Sequence, residues 1–151
     1  MDDFTYMREA MQLAQHAASL GEVPVGAVVV QDATGQIIGR GFNRRETDHS
    51  PLAHAELLAI AEASQTLGGW RLPGCTLYVT LEPCPMCCGG IINARIPRVV
   101  FGAYDQKAGS AGSVLNLFAY PYNHKPAVTG GMLEPECAAL LKAFFSRLRK
   151  Q

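Results

Sequence analysis

The sequence predicts an α/β protein of three layers, a mixed five-stranded sheet with helices on both faces. Three observations predict it. Short β-branched apolar runs alternate with longer stretches whose apolar residues recur every three to four positions. Most of the strands are separated by helices, which implies parallel pairs with helices covering both faces of the sheet. Two strands are joined by a tight turn, which adds an antiparallel hairpin. A length of 151 residues suits one domain with a substantial core, expected over 1–151.

Each element has its own signal. Residues 4–20 are expected to be helical, because Phe4, Met7, Met11, Ala14 and Ala18 recur at helical spacing and Gly21 follows as a stop. Val23 to Val30 is an apolar, β-branched run and reads as a buried strand. Ala33-Thr34-Gly35 is a turn, and Ile37 to Phe42 completes the hairpin. Ser50-Pro51 reads as a helix start, with serine as cap and proline in the first helical position. That helix is expected to carry His54 and Glu56 in its first turns and to run to about Leu67.

After the Leu72-Pro73-Gly74 loop, Thr76 to Leu81 reads as a third strand and Pro83 to about Asn93 as a helix opened by prolines. Arg98 to Gly102 is a fourth strand. Small residues from Ala108 to Ser113 form a loop ahead of a short helix near Val114 to Phe118. Pro126 to Gly130 is a short fifth strand. Glu134 to Lys150 is a final amphipathic helix, with Cys137, Leu140, Leu141, Phe144, Phe145 and Leu148 on one face.

Composition narrows the classes. A hydrophobic content of 48% argues against disorder, and no apolar run approaches a membrane span. Met1-Asp2-Asp3 is acidic and lacks the pattern of a signal peptide, so a cytoplasmic protein without a membrane partner is expected. Five cysteines, an odd number, argue against a disulfide framework. Cys75 and Cys137 lie among apolar residues and read as core. The net charge is zero, yet residues 1–60 carry eight acidic and four basic side chains while 95–151 carry three and eight. The basic end, Arg147-Leu148-Arg149-Lys150, suits an anionic partner, although a solvated helix terminus gives the same pattern.

Two short motifs carry the chemistry. His54-Ala55-Glu56 and Pro83-Cys84-Pro85-Met86-Cys87 together read H-x-E…P-C-x-x-C, the signature of zinc-dependent nucleobase deaminases. One imidazole and two thiolates can hold a zinc ion and leave its fourth position for water, whereas structural sites are closed by four protein ligands. His54, Cys84 and Cys87 are therefore the expected ligands of one zinc per chain, and Glu56 the proton carrier. Residues two apart on a regular helix diverge by about 200°, so His54 and Glu56 can serve one metal only off the helix end. Cys84 and Cys87, three apart, share a helix face. Two helix starts then point at the metal, and their free N–H groups favour anions. Glu56, close to further negative charge, is expected to have a raised pKa suited to proton transfer. Cys88 is expected to pack away from the metal.

The chain resembles the cytidine deaminase superfamily and, within it, the bacterial tRNA-specific adenosine deaminases. The resemblance runs through nearly the whole chain. It covers Glu22 to Ala27, Gly41-Phe42-Asn43, His54-Ala55-Glu56 and Leu81 to Cys87. Phe101-Gly102-Ala103-Tyr104-Asp105 with Lys107, Gly109 and Gly112-Ser113 separates this family from free-nucleoside deaminases, and Pro121, Asn123-His124 and Cys137 to Leu141 also match. The resemblance implies a cytidine-deaminase-like fold and hydrolytic conversion of the wobble adenosine of an arginine tRNA to inosine, with release of ammonia. It implies that Asn43 reads the purine edge and that Asp105 meets a ribose hydroxyl. It implies a homodimer on a tRNA anticodon stem-loop, with no organic cofactor. Phosphate contacts are expected from Lys107, Arg147 and Arg149, and from Lys150. Cys88, Gly90 and Gln106 depart from the commonest residues of the family, and a longer basic tail of some relatives is missing.

Three rival readings have discriminating features. A deaminase of a free base, such as guanine, shares the zinc motifs, but the Asp105–Ser113 block and the basic end argue against it. A non-catalytic zinc scaffold has no use for Glu56. A redox thiol protein predicts a Cys84–Cys87 disulfide and no zinc.

Overall fold

The Asp2 carboxylate accepts the Thr5 N–H at 2.9 Å and so caps α1 (Asp3–Ser19) in the computed structural model, which describes residues 2–150. Met1 and Gln151, the ends of the expected domain, lie outside the described residues. Then follow β1 (Gly26–Gln31), β2 (Gln36–Phe42), α2 (Ala55–Leu67), β3 (Cys75–Leu81), α3 (Pro85–Ala94), β4 (Arg98–Ala103), β5 (Ala127–Thr129) and α4 (Glu134–Arg149). The sheet order is β2-β1-β3-β4-β5, so the expected mixed five-stranded sheet is formed.

The register explains the continuous apolar runs. Ala27, Val29, Leu77, Val79, Val99 and Phe101 face α2 and α3. The alternate residues Val28, Val30, Tyr78 and Val100 face α1 and α4. Both faces are covered, so strands that alternate in direction of side chain do not alternate in polarity. Truncating a fully buried residue here, such as Leu77→Ala, costs about 2–5 kcal/mol, a large share of a domain's stability. Cys75 and Cys137 are core residues, as expected, and all five cysteines are free.

The pairing differs from the expectation of a single antiparallel hairpin. β3 lies antiparallel to β1, with Val28 opposite Tyr78, in addition to the β1–β2 hairpin. The crossover through α2 returns the chain in the direction of β2 but sets it beside β1. Only β3–β4 and β4–β5 are parallel. The first strand is also shorter than its apolar run. Pro24 has no N–H for a ladder, and Val25 donates to the Val23 carbonyl at 2.9 Å, so pairing starts at Gly26. The short helix expected at 114–118 is a 3-10 turn at Leu117–Ala119, set by the Asn116 side chain accepting the Phe118 N–H.

Two corrections concern helices near the site. Ser50-Pro51 does not start α2. The Ser50 hydroxyl accepts the Leu52 N–H in a local turn, and the helix begins at Ala55 with His54 as its cap. The outer face of α4 is not wholly buried. Cys137 and Phe144 are buried, whereas Phe145 and Leu148 are 43% and 48% exposed beside a groove.

α2 is laid directly on β2. Ala55, Ala59 and Ala63, four residues apart, are fully buried on one helix stripe. A Cβ at Gly39 would collide with the Ala59 carbonyl, and one at Gly41 with the Ala55 carbonyl. Small residues on both elements thus let the backbones touch, and this contact sets where the first turn of α2 stands. Among the described residues no helix is long and apolar enough to cross a membrane.

Candidate active site

Two helix starts meet at the end of the sheet. His54 is extended, with φ −86° and ψ 148°, and precedes α2. Cys84 is likewise extended, with φ −75° and ψ 174°, and precedes α3 with Pro85 as its first residue. His54 therefore leaves the helix axis before Glu56 enters it. This resolves the divergence expected of two residues on one helix. The Asn43 Oδ1 accepts the Ala55 N–H at 3.0 Å and pins the junction between them.

The Nδ1 atom of His54 lies 3.6 Å from the Cys84 sulfur and 3.5 Å from the Cys87 sulfur. A tetrahedral ion with bonds of about 2.3 Å to sulfur and about 2.0 Å to nitrogen would set these atoms about 3.6 Å apart. Their three ligand atoms all lie within 4.8 Å of one another, and among the described residues this is the one group of this kind. The soft thiolate and imidazole set suits zinc, and three ligands leave one position open. Cys88 is buried and its thiol donates weakly to the Pro83 carbonyl, so it turns away from the group as expected.

The surroundings of Glu56 suit proton transfer. Glu56 is 4% exposed, and burial pushes its carboxyl up to about 7. A carboxyl poised near neutrality can both take and return a proton. The Cys84 thiol is held down at about 4, first by the hydrogen bond from Cys87 and then by His54. The same bond pushes Cys87 up, so of the two thiols Cys84 ionises more readily. His54 is raised by its bond to Cys84.

A cavity of about 540 Å³ opens over these residues, a size typical of small-ligand clefts. Its walls include Val23, Val25, Asn43, Arg45, His54, Glu56, Cys84, Tyr104, Asp105 and Lys107. Asn43 is thus at the site, with Oδ1 engaged by Ala55 and its amide NH2 left to donate. The Asp105 side chain caps its own turn. Its Oδ1 accepts from Lys107 and Ala108 N–H groups at 3.0 and 3.1 Å, which leaves Oδ2 for another donor.

A second groove, about 610 Å³, adjoins the first and shares Tyr104, Lys107, Leu141 and Phe145 with it. Lys142 and Arg149 line it as well. Of the basic residues expected to meet phosphate, Lys107 and Arg149 line this groove, while Arg147 is exposed on α4 and lines neither cavity. Sequence reasoning missed Tyr104, which is 50% exposed on the ridge between the cavities and stacked edge-on against Phe101 at 5.2 Å. Tyr104 is the first residue past β4, and strand patterning carries no signal of which rim a residue beyond the strand end reaches.

Two buried carboxylates hold loops beside the site. Glu22 accepts the Glu46 and Thr47 N–H groups and the Thr47 hydroxyl, and so holds the loop that carries Arg45. Glu82 does the same for the loop after β4.

Comparison with known proteins agrees with this geometry. Residues 1–149 match the MafB19-like deaminase family. A tRNA-specific adenosine deaminase of Bacillus subtilis is 51% identical over 150 residues, covering 99% of this chain and 92% of that protein. A solved structure from work on A-to-I editing by tRNA:A34 deaminases is 43% identical with a TM-score of 0.87, covering 91% of this chain and 99% of the other. A guanine deaminase structure from Bacillus subtilis is 41% identical with a lower TM-score of 0.68, covering 84% and 80%. On its fold, its site geometry and these likenesses, the chain belongs to the MafB19-like deaminase family of enzymes.

Proposed function

We propose that this chain is a single zinc-dependent deaminase domain, residues 1–151, that hydrolyses the wobble adenosine of a tRNA anticodon loop to inosine. Arginine tRNA is the substrate implied by family resemblance. One observation carries the reading furthest: His54, Cys84 and Cys87 converge at tetrahedral spacing beside a buried carboxyl near neutral pKa. The size of the cavity and the adjoining basic, aromatic groove favour a nucleotide within a strand over a free base.

Mechanism follows from the residues. His54, Cys84 and Cys87 would hold one zinc ion, which supplies Lewis-acid activation of the attacking water. Glu56 takes the water proton, delivers it to the ring nitrogen and then helps protonate the departing amine. Asn43 offers its amide NH2 to an acceptor on the purine edge, because its oxygen is already engaged. Asp105 presents its free oxygen to a ribose hydroxyl. Lys107 and Arg149 would pair with backbone phosphates, while Arg147, which lines neither cavity, adds screened positive charge nearby. The target base must leave its stack to reach the site, so an unpaired loop is preferred to a duplex.

The functional unit is a homodimer in this reading.

The test combines metal analysis with an inosine assay on an anticodon stem-loop, alongside guanine and cytidine. About one zinc per chain and inosine in the RNA alone are expected. Glu56→Gln should keep the zinc and lower turnover by at least about 10²-fold. Release of ammonia from guanine with none from RNA would replace this reading with the guanine deaminase one, for which the 41% identical structure is the supporting observation.

A further inference from the structure

Glu82 stands two residues before Cys84, at the end of β3, and is 2% exposed. Its sequence context gives it no role. A buried carboxylate needs partners, because burying a charge without hydrogen bonds is strongly unfavourable. Here the partners are all donors from one distant segment. The Asp105 N–H reaches Oε1 at 3.0 Å, and the Ala111 and Ser113 N–H groups reach Oε2 at 3.1 and 3.0 Å. The Ser113 hydroxyl also donates to Oε1. Both oxygens are fully engaged, so Glu82 has nothing left for a metal or a proton transfer.

The segment is shaped to receive this carboxylate. A Cβ at Gly109 would collide with it, so only glycine allows the approach. Ser110 donates to the Pro83 carbonyl at 2.8 Å, which ties the same loop to the next residue of the turn. Residues 105–108 in turn line the wall of the cavity over Glu56, and Lys107 also lines the groove beside it. One side chain therefore joins the turn that presents Cys84 to the rim that surrounds an incoming strand.

We propose that Glu82 is a positioning residue for polynucleotide capture: its carboxylate holds residues 105–113 as a preformed rim. A rim already in place does not have to be ordered when the strand binds, so less of the interaction energy is lost. The inference rests on the reading of the site as an RNA deaminase. Its signature is an effect on KM with the chemistry at Glu56 left intact.

Glu82→Gln and Ser113→Ala are the variants to measure. Gln keeps the shape but sets an NH2 against N–H donors, while Ser113→Ala removes one donor and leaves the carboxylate three N–H partners. The readouts are zinc content, KM for an anticodon stem-loop, the single-turnover rate at saturating RNA, and hydrogen exchange of the amides of 105, 111 and 113. Glu82→Gln should raise KM roughly tenfold and speed exchange at those amides, with zinc and the saturating rate within about twofold of wild type. Ser113→Ala should act in the same direction, by about threefold, and it decides the matter should Glu82→Gln fail to fold. An unchanged KM in a folded variant with faster exchange overturns the proposal. So does a joint loss of zinc and saturating rate, which would make Glu82 a support of the Cys84 turn. A wild-type protein that produces no inosine in RNA rejects the RNA reading itself, a result these variants do not produce.

Discussion

The Asn43 Oδ1 accepts the Ala55 N–H at 3.0 Å, between His54 and Glu56. Asn43 ends the hairpin and Ala55 begins α2, so one amide joins two elements and the cavity wall. The bond also divides the labour of the side chain. Its oxygen is structural, and its NH2 is what remains for a ligand. Asn43→Asp keeps the oxygen and removes the donor. It should raise KM for RNA by about tenfold with zinc content and thermal stability near those of wild type. Asn43→Ala should in addition leave the Ala55 N–H buried and unpaired, at a cost of about 1–3 kcal/mol. Equal KM for wild type and Asn43→Asp would remove the NH2 from recognition.

Gly41 tests how the sheet places His54. Its missing side chain lets the Ala55 carbonyl rest on β2, one residue from His54. Gly41→Ala puts a methyl group against backbone, which has no rotamer by which to yield. The first turn of α2 must move away, and His54 with it. Loss of zinc affinity greater than the loss of stability is the expected outcome, read by metal titration and thermal melts together. A variant destabilised by about 1–3 kcal/mol that still holds zinc as tightly would place the geometry elsewhere.

Acid should weaken the contact between Asp3 and Arg98. Arg98 grips both oxygens of Asp3 at 3.0 and 2.6 Å, and the Tyr78 hydroxyl donates to one of them at 2.6 Å. The hydrogen bond from Arg98, with that from Tyr78, holds the Asp3 carboxyl below its ordinary value. Its folded pKa is depressed, so the stabilisation is present above the unfolded value of about 3.9 and is lost as pH falls through the folded one. The Tm gap between wild type and Asp3→Asn should be widest near neutrality and narrow as pH falls below the ordinary carboxylate range. A gap of the same size at all pH values would assign the effect to packing of α1.

Much of this architecture is legible in the amino-acid order, and the misses have physical causes. The valine runs mark buried strands because both faces of the sheet are covered. The convergence of His54, Cys84 and Cys87 is legible because a set of side chains able to hold a metal is restricted in residue type and short spacing. The start of α2 was hidden because Ser50-Pro51 has the local form of a cap, while the actual start depends on Asn43, twelve residues earlier. The β1–β3 pairing was hidden for a similar reason, since the strands themselves do not record which edge a crossover reaches. Glu82 is the clearest case. Its partners are backbone N–H groups 23 to 31 residues away, and backbone donors leave no trace in residue type.

The basic residues expected to meet phosphate divide into two kinds, and salt dependence can separate them. Lys107 and Arg149 line the groove beside Tyr104, whereas Arg147 points from α4 without lining either cavity. A cation that pairs with a phosphate releases a counterion, and each such contact contributes about 0.7 to the slope of log K against log salt for a single strand. Lys107→Ala and Arg149→Ala should each flatten the slope by about that amount and raise KM, with kcat unchanged. Arg147→Ala should change the slope by less than half as much, because a charge off the path of the strand acts only through screened attraction. The measurement is binding of an anticodon stem-loop to all three variants across a salt series. Equal slopes for the three would mean that the basic end acts as a diffuse charge, and that the groove beside Tyr104 is not the path of the strand.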